Sequence, residues 1–200
     1  MNMKKGIALF SLILCLFSCG VTQELAKQAT GLYAISTCKY VFQSITEMVL
    51  AGINMQNAKS ITSNPLAAAN LLAAFSNPNG SLPLSFTLNL GVTNPSVQTA
   101  LLNGASYILN IDGNDLTQGS LERPFQVGAG QTATLPITIS FDLKKAMSGK
   151  SLDAIKNLAY NFAGIGNASS NVTLKLKPSF MVNGSPISAP DYIPISFSLH

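Results

Sequence analysis

The sequence predicts a mainly β protein: an immunoglobulin- or fibronectin III-like antiparallel β-sandwich with one or two accessory helices. Two patterns point there. Short segments alternate apolar and polar residues, as where Leu84, Phe86, Leu88, Leu90 and Val92 interleave with Ser85, Thr87, Asn89, Gly91 and Thr93, which is the period of a strand with one buried face. Turn pairs such as Asp112-Gly113 and Asn183-Gly184 recur between such segments. Seven or more short strands, each apolar on one side, call for two sheets packed face to face. Composition agrees: 47% of residues are hydrophobic and only 10% charged, against about 25% in ordinary globular proteins. Twenty-two Ser, 13 Thr and 17 Asn fill the gap, giving a neutral polar surface on a chain rich in strands and turns.

Element by element, the N-terminus comes first. Met1–Lys5 is short and basic, and Ile7–Phe17 is an apolar run too short to span a membrane. "LFSCG" then sets Cys19 directly after the small Ser18. This order resembles the lipobox of bacterial lipoproteins. The resemblance implies that 1–18 is a signal peptide, that Cys19 is acylated, and that 19–31 is a lipidated tether ahead of one domain over 32–200. An ordinary secretory leader with an incidental Cys is the competing reading. Acyl chains, at about 0.8 kcal/mol per buried methylene, would hold the domain on a membrane without spanning it. Cys15 would leave with the leader, so Cys38 alone remains as a thiol and no internal disulfide can form. A buried, inert Cys38 is expected. Loss of Lys4 and Lys5 takes the formal +4 to about +2, which offers no electrostatic footprint for nucleic acid.

Gly20–Thr30 reads as a tether with a frayed helical turn at Gln23–Gln28. Leu32–Gln56, with Val, Ile, Tyr and Phe near its start and Ala51-Gly52 inside it, reads as one or two strands. In "SNPLAAANLLAAF" Asn64 is a cap, Pro65 suits the first helical position, and Leu66–Phe75 has high helix propensity. Leu84–Thr93 is a strand whose polar face is expected to be solvated. Ser106–Ile111 and Leu116–Gln118 flank the Asp112-Gly113 hairpin turn. Phe125–Val127 and Thr134–Leu143 flank "GAGQT", with Leu135, Ile137, Ile139, Phe141 and Leu143 on one side. Ser151–Phe162 reads as a helix capped by Ser151, with Leu152, Ile155, Leu158, Ala159 and Phe162 as its apolar face and Gly164 as its end. Such a helix would cap one end of the sandwich or cover an edge. Val172, Leu174 and Leu176 alternate in the next strand, Asn183-Gly184 turns it back, and Ile193–Leu199 closes the chain.

"LPLSFTLNLGVTNPS", "ASYILNIDGNDLTQG" and "ATLPITISFDL", over 82–143, resemble the water-stress and hypersensitive-response (WHy) domain of type-2 late-embryogenesis-abundant (LEA) proteins. In that family an alternating strand ends in Asn-Pro, an aromatic strand leads to a Gly-containing hairpin, a Gly follows, and another alternating strand ends in Asp-Leu. Asn94, Pro95, Tyr107, Asp112, Gly113 and Gly119 match that order. The resemblance implies a folded sandwich with no cofactor and no catalytic residue. Lipoproteins that combine such a domain with such flanks are similar to those of Bacteroidetes-like bacteria, and plant members are linked to desiccation and defence. The lipid anchor, the Ala-rich helix and the C-terminal "LKLKPSFMVNGSPI" depart from the family.

The residues themselves supply little reactive chemistry. His200 is the only histidine and the last residue. Asp112 and Asp115, with Asn114, could hold calcium weakly, but Asp in a turn ordinarily bonds backbone, and no ligand spacing of a known calcium loop supports a metal. "GAGQT" leads into a strand and "GIGN" follows a helix, the wrong setting for phosphate loops. Pro95 ends its strand by denying it a donor, while the Asn94 side chain bonds its own downstream backbone. The expected function is therefore a non-catalytic, membrane-anchored envelope lipoprotein, possessing an LEA type 2-like domain that protects against desiccation or other stress. The alternative is a lipid-tethered module that binds an envelope protein or an apolar ligand. "GVTQE" after Cys19 lacks an acidic run, which favours the periplasm-facing side of an outer membrane.

Overall fold

In the computed structural model, which describes residues 30–31, 33–55, 65–77, 79–162, 169–182 and 185–199, strand alternation becomes two antiparallel sheets around one apolar cluster. The first sheet runs β2-β1-β3-β8, from β1 (Lys39–Leu50), β2 (Ile53–Asn54), β3 (Pro83–Thr93) and β8 (Thr132–Asp142). In the second, β5 (Gly104–Ile111) lies between β6 (Asn114–Leu121) and β9 (Ser170–Val182). The far edge of β9 carries β10 (Ser185–Ser188) and then β11 (Ile193–Leu199). A ribbon of β4 (Ala100–Leu102) and β7 (Phe125–Val127) joins them. The predicted antiparallel β-sandwich with accessory helices is the observed architecture.

Hairpin chemistry sets the register. Asp112 (φ 49°) and Gly113 (φ 82°) both take left-handed backbone between the paired Ile111 and Asn114, as a two-residue type I′ turn requires. Asp115 lies on β6 beyond the turn, not in it. Strand β8 pairs with β3 without a break from Pro83↔Asp142 to Thr93↔Thr132, and Pro136 sits in the middle of this edge strand.

That register defines two poles. Lys39 of β1 lies opposite Thr93 at the N-terminal pole. A helical turn at 33–37 is also there, where a strand was expected; Ile35 is buried in the core and Tyr40 Oη donates to its carbonyl at 2.7 Å. Packing of Ala34 and Ile35 overrides the local β preference. At the helical pole are α1 (Pro65–Ser76), α2 (Leu143–Ala146) and α3 (Leu152–Phe162). Phe162 of α3 meets Phe86 of β3 at 4.9 Å between ring centroids, and Tyr160 meets Phe75 of α1 edge-on at 6.1 Å. The late helix therefore closes one end of the sandwich. Ser151 Oγ accepts from the Ala154 N–H at 3.2 Å, the predicted cap. Leu152 is exposed rather than on the buried face, which Ile155, Leu158, Ala159, Asn161 and Phe162 make up; it precedes the turn that turns inward. Along the side of the sandwich Phe42 stacks on Phe197 at 4.3 Å.

The outer face of β3 is not simply solvated. Thr87 is 7% exposed and donates to Glu47 Oε2 at 2.8 Å. Asn89 Nδ2 donates to Ser44 Oγ and Thr46 Oγ1, and Thr93 pairs with Thr132 at 2.8 Å. As a central strand, β3 has neighbours on both sides whose polar side chains cover it. The expected helical turn at Gln23–Gln28, Asn64, Gly164 and the Asn183-Gly184 turn lie outside the described residues, although Val182↔Ser185 pairing brackets the last.

Candidate functional site

Asn94 follows the last residue of β3 and is fully buried. Its Nδ2 donates to the carbonyls of Gln98 (2.7 Å), Val127 (3.0 Å) and Gly128 (3.1 Å), and its Oδ1 accepts from Ser96 N–H (3.0 Å) and Oγ–H (2.8 Å). The Asn94 N–H donates to the Gln131 carbonyl at 2.8 Å. One carboxamide thus fastens the 94–98 loop to the β7–β8 connection, and a proline next in sequence keeps the strand from continuing. Tyr107 and Gly119 are cross-strand partners in β5 and β6. A Cβ on Gly119 would lie 2.5 Å from Tyr107 Oη, so only glycine leaves room for the ring. Burial raises the Tyr107 phenol above its ordinary pKa.

The carboxylates hold backbone and neighbours. Asp112 Oδ1 accepts from the Asn171 N–H at 2.8 Å, linking the hairpin turn to β9. Asp115 Oδ1 accepts from Asn110 Nδ2 (2.7 Å) and Lys175 Nζ (3.1 Å), and these hydrogen bonds hold its pKa below the ordinary value. Asp142 caps α2, accepting from the Lys144 and Lys145 N–H groups, from Leu82 N–H, and from Ser81 Oγ at 2.5 Å. Burial alone would raise its pKa, but those hydrogen bonds outweigh it and the carboxyl stays below its usual range. Lys144 Nζ then donates to the Ala74 and Asn77 carbonyls at 2.7 and 2.5 Å, closing the C-terminal end of α1. Cys38 is buried, its Sγ–H donates to the Ala34 carbonyl at 3.3 Å, and burial pushes the thiol pKa up, away from the thiolate a nucleophile needs. Cys19 lies outside the described residues.

A cleft of about 680 Å³ lies at the helical pole, between the β5–β6 turn, the α2–α3 connection and α3. Asp112, Asn114 and Asp115 reach its rim, Leu116 and Met147 give it apolar walls, and Asn157 and Asn161, one helical turn apart, face it from α3. Asn161 is buried and donates to Ser170 Oγ at 2.9 Å. The sequence marks Asp112 only as a hairpin-turn residue. It shows Asn157 and Asn161 only as a four-residue spacing on α3, and Ser170 not at all, since α3 and β9 meet only in the fold. Among the described residues no group of three His, Cys, Asp or Glu side chains could hold a metal, and no helix is long and apolar enough to cross a membrane.

No family model matches the chain, and no curated protein matches it. Solved structures do. A crystal structure of a protein from Archaeoglobus fulgidus aligns over 80% of this chain and 96% of its own, at 11% identity and TM-score 0.37. A solution structure of a candidate late embryogenesis abundant protein aligns over 96% and 84%, at 12% identity and TM-score 0.37. A solution structure from Arabidopsis thaliana aligns over 59% and 68%, at 18% identity and TM-score 0.35. The structural neighbours of this sandwich thus include an LEA protein candidate, at low identity and at scores that carry no functional argument.

Proposed function

We propose that the chain is a non-catalytic, membrane-anchored envelope lipoprotein whose LEA type 2-like sandwich protects neighbouring molecules against water loss. The observation that supports this reading is that each residue of the LEA-like pattern is committed to building the fold. Asn94 fastens two loops, Gly119 admits Tyr107, Asp112 ties the turn to β9, and Asp142 caps α2. A pattern spent on architecture fits a domain whose surface, not a reactive centre, does the work. The test is to dry a labile enzyme with the purified protein or with an equal mass of albumin, and to compare residual activity. Protection well above albumin, lost in an unfolded Leu88→Asp variant, is the expected result; parity with albumin rejects the protective role.

A second reading is a lipid-tethered binding module, favoured by the cleft at the helical pole and by exposed Leu66 and Leu72 on α1. Cross-linking in intact cells from a photoreactive residue at position 157 should capture one reproducible partner under this reading, and no consistent product if the cleft stays empty.

A further inference from the structure

Three exposed apolar or aromatic side chains lie at the N-terminal pole. Tyr33, 72% exposed, projects from the 33–37 turn, and Tyr192, 40% exposed, stands just before β11. The two share a groove with Ser36, Pro190 and the carboxylate of Asp191. Lys177 Nζ lies 5.3 Å from the Tyr192 ring centroid. Val97, 92% exposed, crowns the 94–98 loop, and that loop is held rigidly by the Asn94 hydrogen bonds to Ser96, Gln98, Val127 and Gly128. A loop that shows a valine to solvent, at the same pole as tyrosines whose rings are apolar and whose tips are polar, matches what a lipid–water interface selects. Lysine beside them can keep its charge in the headgroups while its stem lies along the ring.

We propose that the N-terminal pole is a lipid-contacting face, with Val97 at the headgroup–acyl boundary and Tyr33 and Tyr192 at headgroup level. This rests on the reading of Cys19 as the anchor. Residues 20–29 separate that Cys from the described residues, the first of which lie at this pole where Gly31 abuts Leu101. Even fully extended, a segment of that length reaches no more than about 36–40 Å. The 11-residue strands β3 and β8 separate the poles by about 36 Å at ~3.3 Å per residue. The tether therefore keeps the N-terminal pole at high effective concentration near the bilayer, and the cleft faces away from it.

The chain has five tyrosines and no tryptophan, so its near-ultraviolet emission comes from tyrosine and reports the contact directly. The full-length protein, made in bacterial cells and purified from their membranes, is reconstituted into phosphatidylcholine vesicles with plain or brominated acyl chains. Brominated lipid should quench about two-fifths of the emission at most, the share of Tyr33 and Tyr192 among the five. A Tyr33→Phe/Tyr192→Phe double variant should lose that quenching, and Val97→Asp should reduce it, while both still float with the vesicles. Equal emission in the two vesicle types from a floating protein overturns the proposal. So does quenching that survives in the double variant, because contact would then be made elsewhere, as through Leu66 and Leu72. If the protein fails to float and mass spectrometry finds Cys19 unacylated, the anchor reading itself fails and this proposal falls with it.

Discussion

At the scale of the residue, Asn94 concentrates the most consequence in one side chain. Asn94→Ala strips its amide donor from the carbonyls of Val127 and Gly128, while Ser96 Oγ still reaches that of Gln98, and a buried group left unpaired costs about 1–3 kcal/mol. A loss of about 3 kcal/mol is expected in urea unfolding, and Asn94→Asp should fare no better because it replaces a donor with an acceptor. Gly119→Ala should cost about 1–3 kcal/mol as an overpacked site. Combined with Tyr107→Leu it should cost much less than the sum of the two single changes, since the clash is with that ring; additive costs in a double-mutant cycle would contradict the contact. Asn94-Pro95 is legible in sequence as the end of a strand. Its partners Val127 and Gly128 are not, because nothing local links positions more than thirty residues apart.

Among the elements, α1 is thinly anchored. Of its described side chains only Leu71 and Phe75 are buried, and its C-terminal carbonyls depend on Lys144. Hydrogen exchange should open α1 well before β3, and Lys144→Met should speed exchange in α1 while sparing β3 and β5. The Asp142 cap gives the same pole a pH dependence. Folding holds the carboxyl below the ~3.9 of an unfolded Asp, so the unfolded chain binds its proton first as pH falls. The stabilisation is thus fully present above about pH 4 and lost as pH drops through the folded value. Asp142→Asn should make the acid limb of stability against pH shallower; an unchanged limb would show that the cap does not titrate with folding. Helix α3 is legible from Ser151 and its apolar spacing, whereas the 33–37 turn is not. "YAIST" favours a strand locally, and only burial of Ala34 and Ile35 in the assembled core makes it helical.

Across the whole molecule, alternation in β3 and β8 announces two-sided strands, but strand order cannot be read from it. That β3 lies between β1 and β8 is what buries Thr87 and makes its polar face a hydrogen-bonded ladder. The cleft escapes the sequence for the same reason, since it exists only where α3, β9 and the β5–β6 turn converge. Phe162→Ala should cost about 3–5 kcal/mol because it removes the ring by which the helical pole grips Phe86, and a T-jump or urea midpoint shift reads it. Phe75→Ala also empties a buried core position, where the ring meets Tyr160, and should cost a similar amount.

Among the described residues nothing pairs with the outer edge of strand β8, and Pro136 lies at its centre. Proline within a sheet belongs where its missing N–H faces solvent, so this edge has a gap in the row of donors that another chain would need. A film of evaporating water crowds molecules until exposed strand edges meet, and a continuous edge there would seed fibres. Pro136→Val restores the donor and the β-branched shape together. That variant should remain folded in dilute solution yet leave thioflavin-positive, insoluble material after cycles of drying and rewetting, where the parent redissolves.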